Sequence, residues 1–151
     1  WLRNLHFLIR KAVRSVSILF GLMTSNQGLH NLSANLKHLR TLSSLKISCT
    51  MNEKINSSGF QNLFQSLKPL KRISNVNIDF SSNLNVDDSC IAYVSEAMKY
   101  SNNLSQVQIN LSSTMNMNDQ SLRSLAKGIQ FHKLLKMNVF KVNTHIITKT
   151  S

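Results

Sequence analysis

The sequence predicts an α/β solenoid, a curved parallel sheet backed on its convex side by helices, built from about five strand–helix units of ~31 residues. Three observations predict it. The chain superimposes on itself when shifted by 31 positions; each unit holds two half-patterns of different period; and polar helix-start residues recur at the same interval.

The first half-pattern is helical. Gly28-Leu29-x-x-Leu32-x-x-x-Leu36-x-x-Leu39 returns as Gly59-Phe60-x-x-Leu63-x-x-x-Leu67-x-x-Leu70, then as Cys90-Ile91-x-x-Val94-x-x-x-Met98, then as Ser121-Leu122-x-x-Leu125-x-x-x-Ile129. Apolar residues at i, i+3 and i+7 share one helix face. The second half-pattern alternates strictly, as in Leu45-Lys46-Ile47-Ser48-Cys49, which marks a short strand with one buried face. Leu42-x-x-Leu45-x-Ile47-x-Cys49 recurs as Ile73-x-x-Val76-x-Ile78-x-Phe80 and Leu104-x-x-Val107-x-Ile109-x-Leu111. Val13-x-x-Val16-x-Ile18-x-Phe20 precedes them and Leu134-x-x-Met137-x-Val139 follows, each at slightly shorter spacing.

Helix starts are signalled by Asn26, Ser57, Asp88 and Asp119, where a side-chain oxygen can cap free backbone amides. Basic residues stand where the same helices end (Lys37 and Arg40, Lys68 and Lys71, Lys99, Lys127), complementing the helix dipole. Residues 1–151 therefore read as one domain. Trp1 starts mid-pattern and Ile146-Ile147 opens a further unit, so a piece of a longer array is expected.

A strand and a helix every 31 residues, with the LxxLxL-type cores and helix stripes quoted above, resemble the leucine-rich repeat of the ribonuclease-inhibitor-like type. The chain is also similar to long Asn- and Ser-rich repeat proteins of ciliates, partly through composition. The resemblance implies a concave parallel sheet used for protein binding. One departure concerns the Asn that follows the family's strand core. Thr50, Ser81 and Ser112 stand in its place, so hydroxyls are expected to satisfy loop amides that an Asn ladder would otherwise hold.

Strand alternation names the residues that face away from the core. One column reads Ser15, Ser44, Asn75, Gln106, Lys136; the next Ser17, Lys46, Asn77, Gln108, Asn138; the third Leu19, Ser48, Asp79, Asn110, Phe140. Neutral amides and hydroxyls dominate, which suits adaptable hydrogen bonding to a protein partner.

The 151 residues carry 18 Lys and Arg against 6 acids, a net charge of +12. Such a charge invites a polyanion, yet few of the cations fall in the sheet columns. Lys37, Arg40, Lys68, Lys71, Arg72, Lys99, Arg123, Lys127 and Lys133 are placed on helices or just after them, on the convex side and one rim. Two functions follow. The first is a scaffold or recognition module for a protein partner, using the concave columns. The alternative is a basic structural subunit of a ribonucleoprotein or mitochondrial assembly, contacting nucleic acid or another polyanion.

Catalysis is not expected. There is no Gly-x-Ser-x-Gly elbow, no phosphate-cradling glycine run and no His pair at metal spacing, and His30 and His38 read as exposed. Asp87-Asp88 reads as a capping pair, with Asp88 as the cap. No cofactor, metal or small-molecule substrate is implied. No apolar run reaches the ~18 residues of a membrane span. The basic, acid-free first 22 residues have the look of a mitochondrial leader but also fit the repeat. Cys49 and Cys90 match neither metal nor disulfide spacing, and Cys49 falls on a core position, pointing to an intracellular, cytoplasmic setting.

Overall fold

The computed structural model describes residues 13–114, 118–130 and 136–140. Each alternating run becomes a five-residue strand and each i, i+3, i+7 run an eleven-residue helix. The order is β1 (Ser15–Leu19), α1 (Asn26–Leu36), β2 (Ser44–Ser48), α2 (Ser57–Leu67), β3 (Asn75–Asp79), α3 (Asp88–Met98), β4 (Gln106–Asn110), α4 (Asp119–Ile129) and β5 (Lys136–Phe140). The sheet has the sequential order β1-β2-β3-β4-β5 and every pairing is parallel. Neighbouring helices pack side by side, α1 on α2, α2 on α3 and α3 on α4. The final strand pattern begins at Leu134, outside the described residues, as do Phe131, Lys133 and the Ile146-Ile147 pair.

The periodic apolar positions are the core. Leu45, Ile47, Val76, Ile78, Val107 and Ile109 turn inward from the strands to meet Leu29, Leu36, Phe60, Leu63, Ile91 and Val94 from the helices. A helix and a strand that each present one apolar stripe bury it only against each other and the next unit. Phe60 and Phe80 meet edge to face at 5.0 Å, with Phe64 joining at 6.3 Å from Phe80. Leu122 departs from its column. Leu29, Phe60 and Ile91 are fully buried, whereas Leu122 is 41% exposed on the last described helix.

Two sequence expectations need correction. The helix caps lie one residue earlier than expected, at Ser25, Asn56, Asp87 and Asn118, which all hold extended backbone. Asn56 accepts from the Ser58 amide, Asp87 from Cys90 and Asn118 from Gln120. Asn26, Ser57, Asp88 and Asp119 are the first helical residues instead. Two of these reach across to the following unit. Asn26 donates to Asn56 Oδ1 at 2.9 Å and accepts from the Asn56 amide at 3.1 Å. Asp88 accepts from the Asn118 amide at 3.1 Å and from the Ser121 hydroxyl. The 31-residue recurrence at these positions thus reflects a bond between units as much as a cap.

The Asn ladder is the second correction. It is displaced by two residues and not replaced by Thr50, Ser81 and Ser112. Asn52, Asn83 and Thr114, spaced by 31, are the buried polar column. Asn52 Nδ2 donates to the carbonyls of Gly21 and Thr24, and its Oδ1 accepts from the amides of Lys54 and Ile55. Asn83 donates to the Cys49 carbonyl at 2.9 Å and accepts from the Asn85 amide. Thr114 donates to Leu111 within its own unit.

Just before each ladder residue the backbone turns left-handed, at Met51 (φ 54°), Ser82 (φ 56°) and Ser113 (φ 60°). A Cβ in that region meets the following carbonyl oxygen at a cost of roughly 1–2 kcal/mol. Glycine removes the clash but adds freedom to the unfolded chain worth roughly 0.4–1 kcal/mol. The triple variant Met51→Gly, Ser82→Gly, Ser113→Gly is therefore expected to gain about 1–2 kcal/mol in a urea titration. A lower midpoint would contradict this account of the turns.

Candidate functional site

The helices cover one face of the sheet and leave the other bare. Side chains at alternate strand positions therefore stand outward, and the strand register brings them into rows. Ser15 pairs with Ser44, Ser44 with Asn75, Asn75 with Gln106 and Gln106 with Lys136. The same holds for Ser17, Lys46, Asn77, Gln108 and Asn138, and for Leu19, Ser48, Asp79, Asn110 and Phe140. Every column named from the sequence is thus assembled, Lys136 and Asn138 joining by backbone register.

The three columns differ in how free they are. Asn77 Nδ2 donates to Gln108 Oε1 at 2.9 Å, a bond along the middle row that fixes both amides. Asn75 accepts from the Ser105 hydroxyl at 3.4 Å. Asp79 Oδ1 accepts from the Ser81 amide, and Asn110 Oδ1 from the Ser112 amide and hydroxyl. Asp79 and Asn110 of the third column are therefore committed to holding the turns that leave their strands. Lys46 is exposed, with Ser17 and Asn77 beside it in register. An open depression of ≈ 410 Å³ lies over this face, lined by Ser17, Ile18, Leu19, Lys46, Ser48, Asn77, Asp79, Gln108 and Asn110. Its lining of amides, hydroxyls, one charge of each sign and the apolar Ile18 and Leu19 resembles a mixed protein interface more than an apolar ligand pocket.

Sequence reasoning named Leu19 only as a column residue and missed the apolar border it belongs to. Leu19, Leu22, Met23 and Met51 are 62–78% exposed where the first two strands end. Leu84 extends the apolar rim in the next unit, at 46% exposure. Clustered apolar exposure of this kind marks an interaction surface more often than scattered exposure does. Two strands' exit loops had to be aligned by strand end, not by helix start, to reveal that Leu22 and Met51 correspond.

Charge is unevenly divided between the two ends of the strands, with Lys54 the one described cation in the loops at the acidic end. Glu53, Asp79, Asp87, Asp88 and Asp119 lie where strands end and helices begin. Arg14, Lys37, Arg40, Lys68, Lys71, Arg72, Lys99 and Lys127 lie at the opposite rim, where helices end and strands begin, and Glu96 is the acid nearest them along the chain. Lys37, Lys68 and Lys99 are the C-caps of α1, α2 and α3. Among the described residues one ion pair forms, Lys68 to Glu96 at 2.6 Å, and that hydrogen bond holds the Lys68 ammonium above its ordinary pKa. Arg40 donates to the Pro69 carbonyl at 3.1 Å. Lys68 and Lys71 stand 5.3 and 4.7 Å from the ring centre of Tyr100, itself 40% exposed. Arg123 is exposed on α4, apart from this row, and Lys133 lies outside the described residues. Tyr100 was not singled out from the sequence; the column His38, Pro69, Tyr100, spaced by 31, was the available signal.

The remaining reactive groups are accounted for by packing. Burial pushes both thiols, Cys49 and Cys90, up to about 12, so neither is a nucleophile near neutral pH. His30 and His38 are exposed, and His6, His132 and His145 lie outside the described residues. Among the described residues no cluster of His, Cys, Asp and Glu could hold a metal ion, and no helix is long and apolar enough to cross a membrane.

These features define a repeat-like α/β protein with a parallel sheet that no described helix covers on one face. No protein-family model matches the chain, and no curated protein matches it. Among solved structures it is similar to leiomodin-1 actin-binding site 2, with a TM-score of 0.65 over 93% of this chain and 79% of that one. Identity is 13%, so the likeness concerns the fold.

Proposed function

We propose that the chain is a leucine-rich-repeat solenoid of the ribonuclease-inhibitor-like type, with about five units, and that it recognises a protein partner through its concave, helix-free face. The repeat reading is supported by four features that share one spacing of 31: strand register, helix caps, the Asn52–Asn83–Thr114 column and the left-handed turns. The observation that carries the functional reading is the bare face itself. Its in-register rows of hydrogen-bonding side chains are left uncovered by any described element of the fold. The similar leiomodin-1 structure is named as an actin-binding site, so a related architecture serves protein binding elsewhere.

Size sharpens the reading. Five strands about 4.8 Å apart and about 16 Å long offer roughly 400 Å² in projection. A stable interface takes about 800 Å² from each partner. The partner therefore also covers the adjoining rim, where Leu19, Leu22, Met23 and Met51 supply the apolar contact that the amide rows lack.

The test is an affinity capture from nuclease-treated native lysate with quantitative mass spectrometry. The variant Asn75→Ala, Asn77→Ala, Gln108→Ala is expected to lose at least tenfold of whatever the unaltered chain retains. Far-UV circular dichroism should be unchanged, because all three side chains stand outside the core. Equal capture by both proteins would sink the proposal.

A further inference from the structure

The basic rim goes beyond the protein-binding reading and lies at the other end of the strands from its apolar border. We propose that this rim binds single-stranded nucleic acid, with Lys68, Lys71 and Tyr100 as its central subsite. Lys37, Lys68 and Lys99 recur once per helix, so they form a row along the stacking direction and not a scattered charge. Helices packed about 8–10 Å apart make that row roughly 16–20 Å long. Helix dipoles account for the three C-cap lysines. The sequence grouped Arg40 and Lys71 with those lysines, but both, with Arg72, lie past the C-caps in the linkers, beyond the dipole's last turn, and thicken the same row.

What distinguishes this rim from a solvated basic face is the exposed aromatic at its centre. Tyr100 holds the ammonium groups of Lys68 and Lys71 over its ring. Cations and an aromatic platform within one contact distance are what a single strand requires, one for its phosphates and the other for a base. A base that stacks on Tyr100 releases the Lys71 ammonium toward a flanking phosphate, whereas Lys68 stays paired with Glu96 at 2.6 Å and reaches a phosphate only by exchanging that carboxylate for it. Asn102 and Asn103 follow it in the chain and are exposed; Asn103 Nδ2 donates to the Lys71 carbonyl at 3.5 Å, which leaves its oxygen to accept from a base edge.

Other anionic partners fit less well. An anionic membrane calls for apolar side chains to insert among the lipids. The exposed Leu19, Leu22, Met23, Met51 and Leu84 lie at the other end of the strands. An acidic protein matches the charge but makes no use of the stacking platform.

Fluorescence anisotropy with a labelled 12-nucleotide oligouridylate tests the proposal on the full chain. Affinity is expected to fall with salt, with a log–log slope of about −2 to −3 for three or four phosphates engaged. Tyr100→Ala should weaken binding about tenfold and Tyr100→Phe should restore it. Lys71→Glu with Arg72→Glu should weaken binding more than tenfold and flatten the salt slope by about 1. The Asn75, Asn77, Gln108 variant of the sheet face should bind the oligonucleotide normally, which separates failure of one surface from failure of the other. Three results would overturn the proposal: no binding at low salt, an affinity indifferent to Tyr100→Ala, or equal binding to polyglutamate or to vesicles of anionic phospholipid.

Discussion

Asn52→Ala is expected to lower the stability of the fold by about 3 kcal/mol, a loss comparable to removing a large core side chain. Asn52 is fully buried and makes all four hydrogen bonds its amide permits. Two run backward to the carbonyls of Gly21 and Thr24, and two hold the amides of Lys54 and Ile55 in its own loop. Alanine leaves two donors and two acceptors without their partner, the Ile55 amide buried and the other three part-buried, and unpaired groups cost about 1–3 kcal/mol each where water cannot reach them. Partial relaxation of the loop keeps the total below that sum. Asn52→Asp makes the mechanism visible. It keeps the shape and both acceptors, but sets a carboxylate against two carbonyl oxygens. That variant should be less stable than Asn52→Ala at neutral pH. Its buried carboxyl would titrate above the unfolded value, so stability should return as pH falls through that raised value. Thr114→Ala, at the column's third position, removes a hydroxyl that donates to the Leu111 carbonyl and should cost about 1 kcal/mol. Urea titrations of the three variants decide the matter. A loss below 1 kcal/mol for Asn52→Ala would mean that the ladder does not join the units.

The repeat was legible because its signal is redundant. Strand alternation, the helical stripe and the polar helix starts each recur at 31, and parallel register then follows, since identical units can stack only by placing like positions side by side. Local polar chemistry was less legible. Ser25 and Asn26, or Asp87 and Asp88, are chemically interchangeable as caps on paper. The backbone angle at the first of each pair decides which one caps and frees the other to bond the next unit. The ladder was missed because its Asn sits two residues beyond the position to which the sequence resemblance pointed, after a left-handed turn that no glycine announces. The outward columns followed from periodicity alone, but the commitment of Asp79 and Asn110 to their turns did not, because it depends on the residue two positions on. Tyr100 escaped for another reason. Its neighbours Lys68 and Lys71 come from the preceding unit, and only stacking brings the three together.

Close approach between units also sets an expected change of sign among three glycines. All three lie in helices, where Gly→Ala alone is worth about 0.8–1 kcal/mol of added stability. At Gly28 a new methyl would meet only the Thr24 methyl, at an ordinary 3.4 Å, so Gly28→Ala should stabilise the chain by up to that amount. At Gly59 it would crowd Asn26, whose amide ties α1 to the cap of α2, and would come within 3.2 Å of Ile55. Asn26 can swing away, but only by giving up two hydrogen bonds to Asn56, so the gain in propensity is cancelled or slightly reversed. At Gly128 the methyl would stand 2.6 Å from the Ser95 carbonyl oxygen and 2.9 Å from its Cα. Those are backbone atoms of α3 and cannot rotate aside. The two helices must separate, opening the packing around Leu125 and Val94, and Gly128→Ala should cost about 2–3 kcal/mol. Thermal unfolding of the three single variants is the measurement, with the ranking Gly28→Ala above the unaltered chain, Gly59→Ala near it and Gly128→Ala well below. A Gly128→Ala variant as stable as the parent would mean that α3 and α4 are not held at this distance, and that the last described unit joins the stack more loosely than the others.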